Sequence, residues 1–328
     1  MEDNRGEKRR QWWQRHQNEY NVKLSMKRRN GFHDYRSRHI YMITLVVEGR
    51  KPVLGNLCGP DESHSKPWVN PSELGKRILQ NWVTIPSHYP EVQNLAFQLM
   101  PDHVHFIIFI TKPVPYHLGT VVNGFKIGCN KISREMLGTT LWEEGYHDRI
   151  LRKEGQLETM IRYLQDNPRR LWIKRNNPEF FTIQQDVSIG DTMVAMAGNH
   201  FLLDYPVKVV VQCSRSINTD EAISREVSRY LAMARDGAVL VSPSISPCEK
   251  AVMRAAFEAG VKEIVLLENG FSPMWKPGGG QFDACARGQL LFVAPWPYHS
   301  ERRIISRAQC MQLNRLAREI ASLAPRQA

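Results

Sequence analysis

Residues 92–110 read VQNLAFQLMPDHVHFIIFI, two apolar runs broken by Pro101 and Asp102. Proline presets the φ of a turn and aspartate closes one with its side chain, so the pair predicts a tight turn and the runs a β-hairpin. In the second run His103 and His105 stand two apart. The period of a strand sends both imidazoles to one face while Val104 points to the other. A single strand histidine is most often a satisfied core or edge residue. Two on one face, introduced by a turn, point to a pair of metal ligands, with a third protein ligand to come from elsewhere and positions left for substrate oxygens and water.

Working outward, HIYMITLVVEG (39–49) has strand character, a polar stretch follows, and PSELGKRILQNWVTI (71–85) reads as a helix with Pro71 and Ser72 near its start. Beyond the hairpin come a helical segment, HLGTVVNGFKIGCNKISREML (117–137), a short strand in GYHDRIL (145–151), and a second helical run, QLETMIRYLQDNPRR (156–170). The order strand, helix, strand, strand, helix, strand, helix suits a small α+β antiparallel sheet with helices on one face. Residues 168–200 carry Pro168, Pro178, Gly190 and Gly198 with weak periodicity, which places a domain boundary near 185. After it, VKVVVQC, GAVLVSP, KEIVLLENG and QLLFVAPW alternate with helical stretches. Fully apolar strands between helices imply a parallel sheet covered on both sides, a doubly wound α/β domain. The expected organisation is a basic arm (1–33), an α+β domain (34–185) and an α/β domain (186–328).

At 328 residues two domains are expected, each able to bury a core. The net charge of +11 is uneven: residues 1–185 hold 28 basic against 19 acidic side chains, residues 186–328 hold 16 against 14. A polyanion is therefore expected at the first part. Residues 7–29 mix basic side chains with Trp12, Trp13 and Tyr20, which could grip phosphates and stack on bases. The six cysteines form no C-x-x-C pair and read as reduced thiols. No run approaches the ~18–20 apolar residues of a spanning helix, and a cytoplasmic protein is expected, monomeric or homodimeric.

In LETMIRYLQDN, Leu157, Ile161 and Leu164 define a core stripe, while Tyr163 and Asn167, four apart, share the flanking face. Asn167 precedes Pro168, which predicts a helix end there. A tyrosine serves as a nucleophile toward phosphorus when a hard cation polarises the phosphate, and the resulting ester keeps the energy needed to reseal the strand. The phenol, with an ordinary pKa of ~10, needs activation by the metal site or a nearby base. Tyr146 is the competing nucleophile, beside His147, Asp148 and Arg149. Strand alternation sends Tyr146 and His147 to opposite faces, and this segment is assigned to structure and DNA contact. Arg149 is a candidate phosphate clamp, with Lys126, Asn130, Lys131 and Arg134 as further contact candidates on the preceding helix.

RHIYMITLVVEGR, LMPDHVHFIIF, the F-K-x-x-x-N of Phe125 to Asn130, LWEEGYHDRIL and YLQDNPRR together resemble a REP-associated tyrosine transposase of the HUH single-strand group. The resemblance covers roughly residues 34–182. It implies a ferredoxin-like or RRM-like domain acting on single-stranded or hairpin DNA. It also implies Mg²⁺ or Mn²⁺ held by His103, His105 and Asn167, and a 5′-phosphotyrosine link at Tyr163. Related insertion-sequence enzymes commonly carry Gln where Asn167 stands. SPSISPCEKAVMRAAFEAGVKEIVLLENG and SERRIISRAQC resemble the Rossmann-like core of DprA-type DNA-processing proteins. There Ser242-Pro243-Ser244 replaces the glycine-rich loop of nucleotide sites. The alternatives are a single-strand or hairpin DNA-binding protein without cleavage, and a nucleotide-acting Rossmann-like enzyme with a DNA-targeting domain.

Overall fold

The computed structural model describes residues 30–214, 216–272, 275–301 and 303–325, so the arm with Trp12, Trp13 and Tyr20 lies outside the described residues. The chain divides between Trp172 and Ile173 into two compact units.

The first unit is built on a four-stranded antiparallel sheet. Strands β1 (His39–Val46), β4 (Val92–Leu99), β5 (His103–Ile110) and β6 (His147–Leu151) lie in the order β4-β5-β1-β6. Pro101 and Asp102 make the β4–β5 turn, where the Met100 N–H donates to the His103 carbonyl at 2.9 Å. Helix α1 (Glu73–Val83) starts at Ser72, whose hydroxyl accepts from the Gly75 N–H. The short α2 (Ile85–His88) follows it. Helix α3 (Leu118–Leu137) buries Leu118, Val121, Val122, Phe125 and Cys129, one stripe at helical spacing. These residues meet Leu74, Ile78 and Trp82 of α1 and Tyr41, Ile43, Leu45, Val104, Phe106 and Ile108 of the sheet in one core. At Gly128 a Cβ would come within 2.5 Å of Asn81 Oδ1, so a bare backbone permits this approach of α3 to α1.

The opposite sheet face carries Met42, Ile107 and Leu151, packed under Leu157, Met160, Ile161, Tyr163 and Leu164 of helix α4 (Gln156–Asn176). The helices thus cover both faces of the sheet rather than one. Two further corrections apply. The polar stretch after β1 contains a two-stranded hairpin, β2 (Gly55–Cys58) with β3 (Trp68–Pro71), too short and mixed in polarity to show a period. Helix α4 does not end at Asn167 but runs through Pro168 to Asn176.

In the second unit, β9 (Lys208–Val210), β10 (Val239–Ser242), β11 (Glu263–Leu266) and β12 (Leu290–Ala294) are parallel neighbours, as their apolar runs predicted. Their order is consecutive, so the sheet has no reversal of strand order of the kind that opens a binding crevice in doubly wound folds. An antiparallel hairpin, β7 (Gln184–Ile189) with β8 (Thr192–Gly198), extends the sheet beside β12. Strand side chains alternate between two cores. Val239, Val241, Ile264, Leu266, Leu291 and Val293 meet Leu313, Leu316, Ala317 and Ile320 of α8 (Arg307–Ser322). On the other face, Leu240 packs against α5 (Asp220–Arg235) and α6 (Pro247–Glu258), and Phe292 against α7 (Gly280–Ala286). All six cysteines are unpaired. No helix among the described residues is long and apolar enough to cross a membrane.

Candidate active site

His103 and His105 open β5 on the face that α4 covers, the parity shared by Ile107. Their rings meet edge to face with centroids 4.8 Å apart. Each is oriented through Nδ1: His103 Nδ1 lies 2.6 Å from Asp102 Oδ1, and His105 Nδ1 lies 2.7 Å from Thr44 Oγ1. Outer partners on Nδ1 fix the plane of an imidazole and direct Nε2 toward a ligand. Asp102 is itself held at 3.3 Å by Arg50. Burial pushes its carboxyl up, but the bond and charge of His103 and the Arg50 guanidinium outweigh this and hold it below the usual carboxylate range. His105 is buried at 8% exposure.

Tyr163 enters from above. Its ring centroid is 6.3 Å from that of His105, and the Arg170 guanidinium lies 5.9 Å from the tyrosine ring centre. Tyr163, Asn167 and Arg170 fall at i, i+4 and i+7 and line one flank of α4. Pro168 has no N–H to offer the Leu164 carbonyl, which in most helices breaks the ladder. Asn167 Nδ2 donates instead to the carbonyls of Tyr163 at 3.0 Å and Leu164 at 3.4 Å. The proline therefore sits inside the helix, one turn beyond the tyrosine, and the amide nitrogen of Asn167 is committed to the backbone. Its Oδ1 is the atom a metal would take. Among the described residues no group of three or more His, Cys, Asp and Glu side chains converges as a metal site.

The remaining sequence candidates fall in different settings. Lys126 is partly buried and donates to the carbonyls of Glu143 at 2.7 Å and Gly145 at 2.9 Å. Asn130 Oδ1 accepts from the Leu141 N–H at 2.9 Å. Both polar groups pin the 141–145 loop to α3. Lys131 and Arg134 are exposed on the same helix. Arg149 is exposed on β6, with Nη1 3.6 Å from Met160 Sδ of α4. Tyr146 packs against the core on the far side of the sheet from α4, away from the histidine pair. What sequence reasoning missed is the support: Asp102 and Thr44. In the sequence Asp102 reads only as a turn residue, and Thr44 becomes visible only once β1 is paired with β5.

In the second unit, the helix that follows β10 begins with a capping box. Glu249 accepts from the N–H groups of Cys213 at 3.2 Å, Ile245 at 2.7 Å and Ser246 at 3.1 Å. Glu249 is the third residue of α6 and completes its capping box with Ser246, tying the start of that helix to the loop after β9.

No family model matches the chain. An uncharacterized protein of Haemophilus influenzae is 26% identical over 157 residues, covering 42% of this chain and 83% of that protein. Among solved structures, a REP-associated tyrosine transposase bound to a REP hairpin aligns with 12% identity and a TM-score of 0.32, over 43% of this chain and 72% of that one. DNA processing protein A from Helicobacter pylori, described for its single-stranded DNA binding mode, aligns with 17% identity and a TM-score of 0.32, over 43% of this chain and 66% of that one. Likenesses of this strength carry no argument about function.

Proposed function

We propose that the first unit, read as a ferredoxin-like HUH domain, is a metal-dependent transposase or endonuclease acting on single-stranded or hairpin DNA through a phosphotyrosine at Tyr163. The observation that supports this most directly is the placing of the Tyr163 ring beside His105 and above a histidine pair whose Nδ1 atoms are both held from behind. Mg²⁺ or Mn²⁺ would be held by Nε2 of His103 and His105 and Oδ1 of Asn167, and would polarise the scissile phosphate. Tyr163 then attacks phosphorus, the bond to the 3′ oxygen breaks, and the 5′ phosphate remains on the phenol. Attack by a free 3′-hydroxyl reverses the step and joins the strand to a new partner. Arg149 and Lys131 serve as phosphate contacts. The second unit is read as a Rossmann-like accessory domain.

The competing reading is a DNA-binding protein without cleavage. The use of the Asn167 amide nitrogen by the helix backbone favours it, because that side chain has a structural task independent of any metal. The two readings separate on a denaturing gel of protein incubated with Mn²⁺ or Mg²⁺ and labelled hairpin DNA. A covalent adduct is expected, lost in Tyr163→Phe and in His103→Ala with binding retained. Tight binding with no adduct across a diverse hairpin library would establish the recognition protein.

A further inference from the structure

The sheet face beneath α4 carries more than the two histidines. Strand registers place Gln98 opposite His105, His105 opposite Thr44, and Thr44 opposite His147. Directly opposed residues of antiparallel strands project to the same face. Gln98, His105, Thr44 and His147 therefore form one polar row across all four strands. The next row on that face, Ala96, Ile107, Met42 and Arg149, is apolar until it reaches the edge strand.

His147 differs from His105 in its setting. His105 is buried and tied to Thr44, whereas His147 is exposed on edge strand β6 and no hydrogen bond to the described residues holds its ring. Two strand spacings, about 10 Å, separate its backbone from that of His105. A phosphodiester seated at the histidine pair, with its 3′ side directed across the sheet toward β6, would turn its 3′ oxygen toward this imidazole. An in-line displacement needs the attacking and leaving oxygens on opposite sides of phosphorus, and an alkoxide leaving group needs a proton. Imidazole is the side chain best suited to exchange that proton near neutral pH.

We propose that His147 is the proton donor to the departing 3′ oxygen, a role that rests on the reading of Tyr163 as nucleophile. As the phenol oxygen bonds to phosphorus, the electron pair of the P–O3′ bond passes to O3′, which takes a proton from the His147 imidazolium. The phenol proton leaves to solvent, and the imidazole stays neutral while the phosphotyrosine ester persists. In rejoining, neutral His147 accepts the proton of the attacking 3′-hydroxyl, the bond from phosphorus to the Tyr163 oxygen breaks, and the departing phenolate takes a proton from solvent.

The test uses the full chain with Mn²⁺ and two hairpin oligonucleotides, identical except that sulfur replaces the bridging 3′ oxygen at the mapped cleavage position. A thiolate leaves without a proton. His147→Gln is expected to slow adduct formation by about 10²-fold or more on the oxygen substrate, and by less than about threefold on the sulfur substrate. Arg149→Gln, the neighbouring change on the same strand, is expected to weaken both substrates alike. An equal loss on both substrates for His147→Gln overturns the assignment and leaves the imidazole a binding or structural group. Tyr163→Phe separates the two ideas: an adduct that persists in it on either substrate removes the nucleophile and this role together, as does an absence of adduct in the unaltered protein.

Discussion

Glu263 opens β11 at 2% exposure, and its Oε1 has no hydrogen-bond partner among the described residues. An ionised carboxylate so placed loses its hydration without compensation, and burial pushes its pKa up to about 8. The folded protein holds the group neutral while the unfolded chain ionises it near the ordinary value. Stability from this group is complete below that value and declines by about 1.4 kcal/mol per pH unit until the folded pKa is passed. Glu263→Gln is expected to remove this slope between about pH 4.5 and 8 and to raise the melting temperature at pH 8. Equal melting of the two proteins across that range would mean that the carboxylate finds a partner in solution. The contrast with Asp102 is instructive. That carboxyl is also partly buried, yet the bond and charge of His103 and the Arg50 guanidinium hold it below the usual carboxylate range, as suits a group that orients the His103 ring.

At the scale of the element, α4 shows how a helix carries a catalytic candidate past a breaker. The Leu164 carbonyl abandoned by Pro168 is met by Asn167 Nδ2, which also bonds the Tyr163 carbonyl. In the unaltered protein Asn167→Ala should cost about 1 kcal/mol. In a Pro168→Ala background, where the backbone N–H is restored, the same change should cost close to nothing. Urea unfolding of the four proteins in a double-mutant cycle measures this, and additive costs would show that the amide does not repair the helix. A similar economy operates on α3, where Lys126 and Asn130 fasten the 141–145 loop that leads into β6 and His147. The Lys126 ammonium and the Asn130 amide oxygen, two of the residues that the sequence offered to phosphate, are engaged in positioning that strand.

Across the whole molecule, the excess positive charge belongs to the first part of the chain. Binding of single-stranded DNA should weaken with salt, with a logarithmic slope of about 0.7 for each phosphate neutralised. Arg149→Gln is expected to lower that slope by about one contact. Lys126→Gln is expected to leave it unchanged, because the ammonium faces two carbonyls rather than solvent. Fluorescence anisotropy at several salt concentrations distinguishes them, and a reduced slope for Lys126→Gln would return that residue to the DNA surface. Much of this architecture was legible in the sequence. The β4–β5 turn, the common face of His103 and His105, the strands of the parallel sheet and the line shared by Tyr163 and Asn167 follow from periods of 2 and 3.6 and from turn chemistry, which act between near neighbours. The β2–β3 hairpin was not, because its strands are four residues each and of mixed polarity, and the β7–β8 hairpin was not, because its first strand, QQDVSI, is largely polar. The continuation of α4 through Pro168 was hidden because it depends on where one side-chain amide points. Strand order, the consecutive parallel sheet and the row from Gln98 to His147 were decided by tertiary pairing alone. Nothing in the local pattern of residues 98, 105, 44 and 147 states their alignment; only the packing of four strands between helices fixes the registers that bring them to one face.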